Sequence, residues 1–316
     1  RKAQWLADRG LGVDTLAVGT YDELPQAASR FGGSLLVLTP WRPFGAALDL
    51  PADLAPRVIH TVSRREDLEA LLALDPHARY VLEEVTSMLR HGMTPRELRG
   101  AAAWLAGLQG RGAGHLEGVA VHLPLARGVH ESEMHRLLND VVAAGLDTTV
   151  VWVSHLTQPE LRRLRAAYRD FTFRPRVGTD LWLGDRGALR VTATVLDVHE
   201  VERGDAFGYR QRTVPKAGHI LVVSGGTAHG IGLAAPTGDS SVKARAAAIA
   251  RGGLDAAGFV RSPFHIDGKQ RLFAEPPHMQ ASMLFLPTGP RVPAIGDEVE
   301  VRVRYTTTTF DRVVTA

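Results

Sequence analysis

Four residues able to grip an anion or move a proton, Arg90, His122, Thr157 and Arg176, each stand at or just beyond the end of a short apolar run. An arginine presents a planar fork suited to phosphate or carboxylate, and a histidine can exchange protons near neutral pH. Each also has an ordinary structural explanation: a surface ion pair for Arg90, a satisfied core histidine for His122, a helix cap for Thr157, a domain-interface salt bridge for Arg176. Their joint placement favours a site. The run Arg176-Val177-Gly178-Thr179 adds a glycine that lets backbone N–H groups approach an anion after the last of those apolar runs. Other patterns fall away. The histidines of His130-Glu131-Ser132-Glu133-Met134-His135 are five apart, about 140° around a helix, and cannot grip one ion. Ser224-Gly225-Gly226-Thr227-Ala228-His229-Gly230 lacks the lysine and spacing of a phosphate loop, and no histidine pairs with a carboxylate at ligand spacing, so no metal is expected.

The elements that must position these residues read as alternating strands and helices. Strands are expected at 15–19, 34–39, 58–61, 80–85, 118–123, 149–154 and 171–177, with helical patterns at 22–30, 65–74, 95–108, 131–144 and 158–168. Ser63, Thr94 and Thr157 are expected as N-caps. Such alternation builds right-handed βαβ units on a parallel sheet, and in a barrel the C-terminal strand ends form the active rim. An open doubly wound sheet is the alternative, but no G-x-G-x-x-G opens a helix. Seven strands are one short of an eight-stranded barrel. The chain begins at Arg1 on what reads as a helix, so about 30–50 upstream residues with a first strand are expected. Beyond Gly184 the pattern turns to strands at 191–198, 220–223, 281–286 and 298–303, with one helical stretch at 241–250. The expected architecture is α/β: a (β/α)8 TIM-like barrel lacking its first strand over residues 1–183, then a mainly β domain over 184–316.

The composition fits this. The 316 residues are 45% hydrophobic and 22% charged, as in a soluble two-domain protein, and no apolar run reaches a membrane span. The formal charge is only +3, and the arginines are spread without an interleaved aromatic cluster, which argues against a nucleic-acid surface. With no cysteine there are no disulfides or thiol nucleophiles, which suits a cytoplasmic protein.

A barrel followed by a β-domain, with these residues in this order, resembles the alanine racemase family of pyridoxal-phosphate enzymes. Asp14–Gly19 with Tyr21-Asp22-Glu23 is similar to that family's second strand and following helix, and Ser34–Pro40 to its third strand. Val85–Gly92 resembles the stretch carrying its fixed arginine, Glu117–His122 the strand with its histidine, and Arg176-Val177-Gly178 its arginine-x-glycine. Phe207-Gly208-Tyr209 resembles the segment of its catalytic tyrosine, and Gly296–Val299 its late glycine-aspartate turn. Gly208–Gln211, Glu275–Gln280 and Thr306–Arg312 are further similar to an actinobacterial subgroup.

The resemblance implies a cytoplasmic homodimer that racemises a small amino acid, alanine first, with pyridoxal 5'-phosphate as cofactor and Tyr209 serving the partner's barrel. Tyr209 would exchange the α-proton, with His122 and Arg176 as its network and Arg176 also facing the pyridine nitrogen. A cationic guanidinium there leaves that nitrogen unprotonated and favours racemisation over side reactions. Arg90 would hold the phenolic oxygen. Thr157, Gly178 and Thr179 would bind the phosphate, and the Met279 backbone would lie near the substrate carboxylate.

There are departures. The family's anchoring lysine sits on its first strand, whereas the four lysines here are Lys2, Lys216, Lys243 and Lys269, none of them in a position to serve. Glu83 replaces a carbamylated lysine seven residues before the arginine and could orient Arg90 with a fixed negative charge, reaching it by a hydrogen bond while Glu84 faces the helices. Gly226-Thr227-Ala228-His229-Gly230 lacks a tyrosine and an aspartate that the family places near the substrate entrance, and Met279-Gln280 replaces methionine-aspartate. A racemase for another small amino acid and a non-catalytic cofactor-binding protein are therefore the rival readings. A metal-assisted aldolase of this fold type needs a His-x-Asp or His-x-Cys signature, where this chain has His278-Met279-Gln280.

Overall fold

Short apolar runs buried on both faces are what a parallel sheet demands of its strands, and the first half of the chain supplies them. The computed structural model describes residues 8–10, 12–108, 110–125, 130–233 and 260–314. It divides into two compact units, Arg1–Gly184 and Asp185–Ala316. The helix expected at 241–250 lies outside the described residues.

In the first unit, β1 (Thr15–Val18), β2 (Ser34–Val37), β3 (Val58–Val62), β4 (Arg79–Glu84), β5 (His115–His122), β6 (Val150–Ser154) and β7 (Thr172–Pro175) form one sheet in sequence order. Every neighbouring pair is parallel. The sheet curls into a TIM-like half-barrel: Arg174 on β7 hydrogen-bonds Asp14 and, at 3.2 Å, the Thr15 hydroxyl at the start of β1. The same guanidinium stacks 4.2 Å over the Trp152 ring. Trp152 fills the hollow of the curl with Leu36, Ile59, Val81 and Ala120, one residue from each of β2 to β6.

The outer faces of the strands pack against α1 (Leu24–Ala28), α2 (Arg65–Leu74), α3 (Pro95–Gly107), α4 (His130–Ala144) and α5 (Gln158–Ala167). Their apolar stripes, such as Leu68, Leu71 and Leu72 on α2, are buried, each contributing about 1.5–3 kcal/mol. The short α6 (Thr179–Leu183) ends the unit.

The second unit is antiparallel. Strands β8 (Thr192–Val201), β11 (Gly218–Ser224), β12 (Arg261–Ile266), β13 (Lys269–Phe273), β14 (Ala281–Pro287) and β15 (Glu298–Val301) close a barrel in the order β11-β14-β13-β12-β15-β8. Val195, Leu221, Val223, Phe264, Phe273, Leu284 and Val299 form its core. A two-stranded ribbon, β9 (Ala206–Phe207) with β10 (Arg212–Thr213), carries Tyr209 at its tip.

Candidate active site

The two-residue period of β4 decides which glutamate enters the curl. Val81 belongs to the inner cluster while Tyr80 and Leu82 pack under the helices, so Glu83 faces inward and Glu84 faces the helical layer. Glu83 is buried, which pushes its carboxyl up, while the charges of Arg176, Arg90 and Arg42 pull it down. Among the described residues no hydrogen bond joins Glu83 to Arg90, and Glu83 Oε2 is buried without a partner. The expected direct bond is therefore not made. Arg90 stands exposed on the loop after β4, which runs through a left-handed Leu89 and re-enters the fold at Gly92. Gly92 has φ +119°, and a side chain there would collide with the backbone of Glu84 and Val85. The loop is also pinned by the Thr86 hydroxyl, which donates to the His122 carbonyl at 2.7 Å, and by Ser87, whose N–H and hydroxyl donate to Glu133.

His122 ends β5, half-buried, with its ring 4.9 Å from that of His155 and nearly perpendicular to it. Burial first, then Arg176, Arg90 and His155, hold its imidazole down at about 4, so it is neutral at physiological pH. Arg176 follows β7. Its N–H donates to the Val153 carbonyl at 2.7 Å and one Nη to the Val121 carbonyl at 3.0 Å, but its Nε is buried without a partner. Burial lowers it to about 10, with Glu83 opposing, which leaves it protonated near neutrality. Buried polar atoms are normally paired, so an unpartnered guanidinium N–H among further arginine charges is a donor that an anionic group could satisfy. Glu83, Thr86, Met88, Arg90, His91 and His122 lie close together at this rim.

Thr157 caps α5 in a reciprocal box. Its hydroxyl donates to Glu160 Oε2 at 2.6 Å and accepts from the Glu160 N–H at 3.4 Å. Thr157→Ala should cost about 1 kcal/mol, read as a lower midpoint in urea, and unchanged stability would show the box idle. Gly178 and Thr179 open α6, both exposed and without a side-chain cap.

In the second unit, Tyr209 and Met279 are 86% and 71% exposed. The Tyr209 N–H donates to Glu275 Oε2 at 3.0 Å, and its ring lies 4.9 Å from that of His278, the residue before Met279. Both predicted residues are thus displayed by neighbouring segments of one unit.

Residues 2–167, more than half of the chain, match the family model described as the N-terminal domain of alanine racemase. The chain belongs to this family. No curated protein matches in sequence. Among solved structures, alanine racemase from Bacillus anthracis with bound L-Ala-P is 19% identical, with a TM-score of 0.64 over 99% of this chain and 77% of that one. Alanine racemase from Bartonella henselae with covalently bound pyridoxal phosphate is 16% identical, with a TM-score of 0.66 over 96% and 80%. That from D-cycloserine-producing Streptomyces lavendulae is 20% identical, with a TM-score of 0.63 over 95% and 77%. At these identities the likeness is one of fold.

Within the alanine racemase-family unit, Glu83, His122 and Arg176 converge, with Arg90 beside them through its charge. Thr157 has its hydroxyl committed to Glu160. Two residues escaped the sequence reading. His155 stands directly after β6 in a left-handed conformation (φ +64°), its Nδ1 paired at 2.6 Å with the Leu123 carbonyl. Arg42 bonds Asp67 at 2.7 Å and Ser63 at 3.0 Å and adds a third positive charge near Glu83. His155 could have been found by its position at a strand's C-terminal end; nothing marked Arg42.

Proposed function

We propose that this chain is a pyridoxal-phosphate-dependent amino-acid racemase acting on alanine, a cytoplasmic homodimer whose Tyr209 serves the partner's barrel. The observation that carries the reading is the meeting of a cationic Arg176 with an orphaned donor, a neutral His122 and a buried Glu83 at one rim of a family-typical unit. These residues fit the anionic groups and ring of the cofactor, which when bound acidifies the α-proton of an amino acid. Arg176, protonated near neutrality, would face the ring nitrogen and keep it unprotonated. His122, held neutral, can pass a hydrogen bond between Arg176 and the reacting end. Arg90 holds the phenolic oxygen, and Glu83 offsets the arginine charges without a direct bond. Gly178 and Thr179 would offer uncapped N–H groups to the phosphate, while the Thr157 hydroxyl stays in its capping box with Glu160. The Tyr209 phenol exchanges the proton, and the Met279 N–H holds the substrate carboxylate. A racemase for another small amino acid is the second reading, favoured by His229, which sits 3.2 Å from Asp311 in the glycine-rich segment where the family carries other residues.

The test is α-hydrogen exchange of alanine in D2O with the full-length protein and pyridoxal phosphate, followed by proton NMR; no exchange of either enantiomer would overturn the reading. Glu83→Gln should weaken cofactor binding by about 1–3 kcal/mol, and carbon dioxide should have no effect. Because the Glu83 carboxyl is raised in the folded protein, the stability tied to its proton is present below the ordinary carboxylate range and lost as pH rises through its folded value. Glutamine mimics the protonated form, so Tm at neutral pH should hold, separating lost binding from lost fold.

A further inference from the structure

Tyr209 and Met279 lie far apart in sequence, yet one carboxylate ties their segments together. Glu275, just beyond β13, is 3% exposed. Its Oε1 accepts from His278 Nε2 at 2.6 Å and its Oε2 from the Tyr209 N–H at 3.0 Å. Gly208 has φ +70°, and a side chain there would strike the Glu275 carboxylate, so the ribbon tip closes directly onto it. His278, fixed by the same carboxylate, lies against the Tyr209 ring at 4.9 Å, tilted by 50°. The far side of the loop is also fixed: the His278 and Met279 carbonyls accept from the Thr227 and Ala228 N–H groups at 2.8 and 3.0 Å. The His278 N–H donates to the Ala281 carbonyl at 2.9 Å. Among the described residues the Met279 N–H donates to nothing.

A carboxylate removed from water is costly unless hydrogen-bonded, and each bond here is charge-assisted, so keeping Glu275 buried enforces the geometry of both partners. We propose that Glu275 and His278 form a positioning pair that holds the Tyr209 phenol and the Met279 N–H as one rigid unit, so that proton exchange and carboxylate binding address the same amino acid. The purpose rests on the racemase reading; the geometry does not.

The test uses the 15N-labelled full chain with E275Q and H278Q. In E275Q the Tyr209 amide should move upfield and exchange about tenfold faster or more, because its acceptor loses the negative charge that made the bond charge-assisted. In H278Q that amide should stay protected while the Tyr209 ring resonances shift. With pyridoxal phosphate bound, both variants should raise KM for alanine and lower kcat, with cofactor affinity unchanged. An unaltered Tyr209 amide in E275Q overturns the proposal. If E275Q does not fold, H278Q decides alone: unaltered ring resonances and an unaltered KM overturn it. Altered amides in a chain whose unsubstituted form exchanges no alanine would sink the racemase reading and leave the positioning pair standing.

Discussion

In the full-length protein, Tyr209→Phe is expected to slow α-proton exchange of alanine by about 10²–10⁴-fold, the contribution of a positioned acid–base group. The substitution removes one oxygen from a side chain that is 86% exposed and packs only its ring against His278. The backbone of residue 209 keeps its bond to Glu275, so neither the ribbon nor the barrel core should feel the change. Tm and pyridoxal-phosphate affinity should therefore match the unsubstituted protein. Deuterium incorporation into each enantiomer of alanine reads the loss directly. Equal rates for both enantiomers in the variant and the parent would mean that Tyr209 does no more than cover His278.

The parallel unit was legible because its central strands are buried on both faces and its helices on one. Runs such as Leu35-Leu36-Val37 and Val81-Leu82 had no other place to go. The same period of two separated Glu83 from Glu84. It said nothing about the loop after β4, whose path depends on Gly92 and on bonds to His122 and Glu133, and so the expected bond from Glu83 to Arg90 is not made. In the second unit β12 and β13 went unread because Pro263 interrupts the apolar alternation. The Asp267-Gly268 turn between them, both residues at positive φ, is a hairpin signal that could have revealed them. The union of Glu275 with Tyr209 joins positions with no periodic relation, and only the folded chain shows it. Thr157 was readable as a cap and as a phosphate ligand alike. The structure gives the cap.

Glu84→Met should stabilise the protein at alkaline pH. Glu84 is 1% exposed on the helical side of β4, and neither carboxyl oxygen has a partner among the described residues. Burial first, then Asp140, push its carboxyl up to about 8 against the pull of Arg136. The sign follows from that direction: a raised folded value means the native state binds the proton more tightly than the unfolded chain. The associated stability is complete below about pH 4 and is lost as pH rises through 8. At roughly 1.4 kcal/mol per unit the shift corresponds to several kcal/mol, and water entry around the ionised group reduces what a melt would show to about 2 kcal/mol. Methionine has nearly the same length, fills irregular space and brings no charge to bury. The Tm of the variant should rise above that of the parent progressively between about pH 4 and 8, with a constant gap above that range and convergence below pH 4. Cofactor affinity should be unchanged, since Glu83, on the opposite face of the strand among Arg42, Arg90 and Arg176, is left as it was. A parent Tm that does not fall over that range, or a variant less stable at pH 9, would show that Glu84 reaches water or a partner when ionised and carries no such cost.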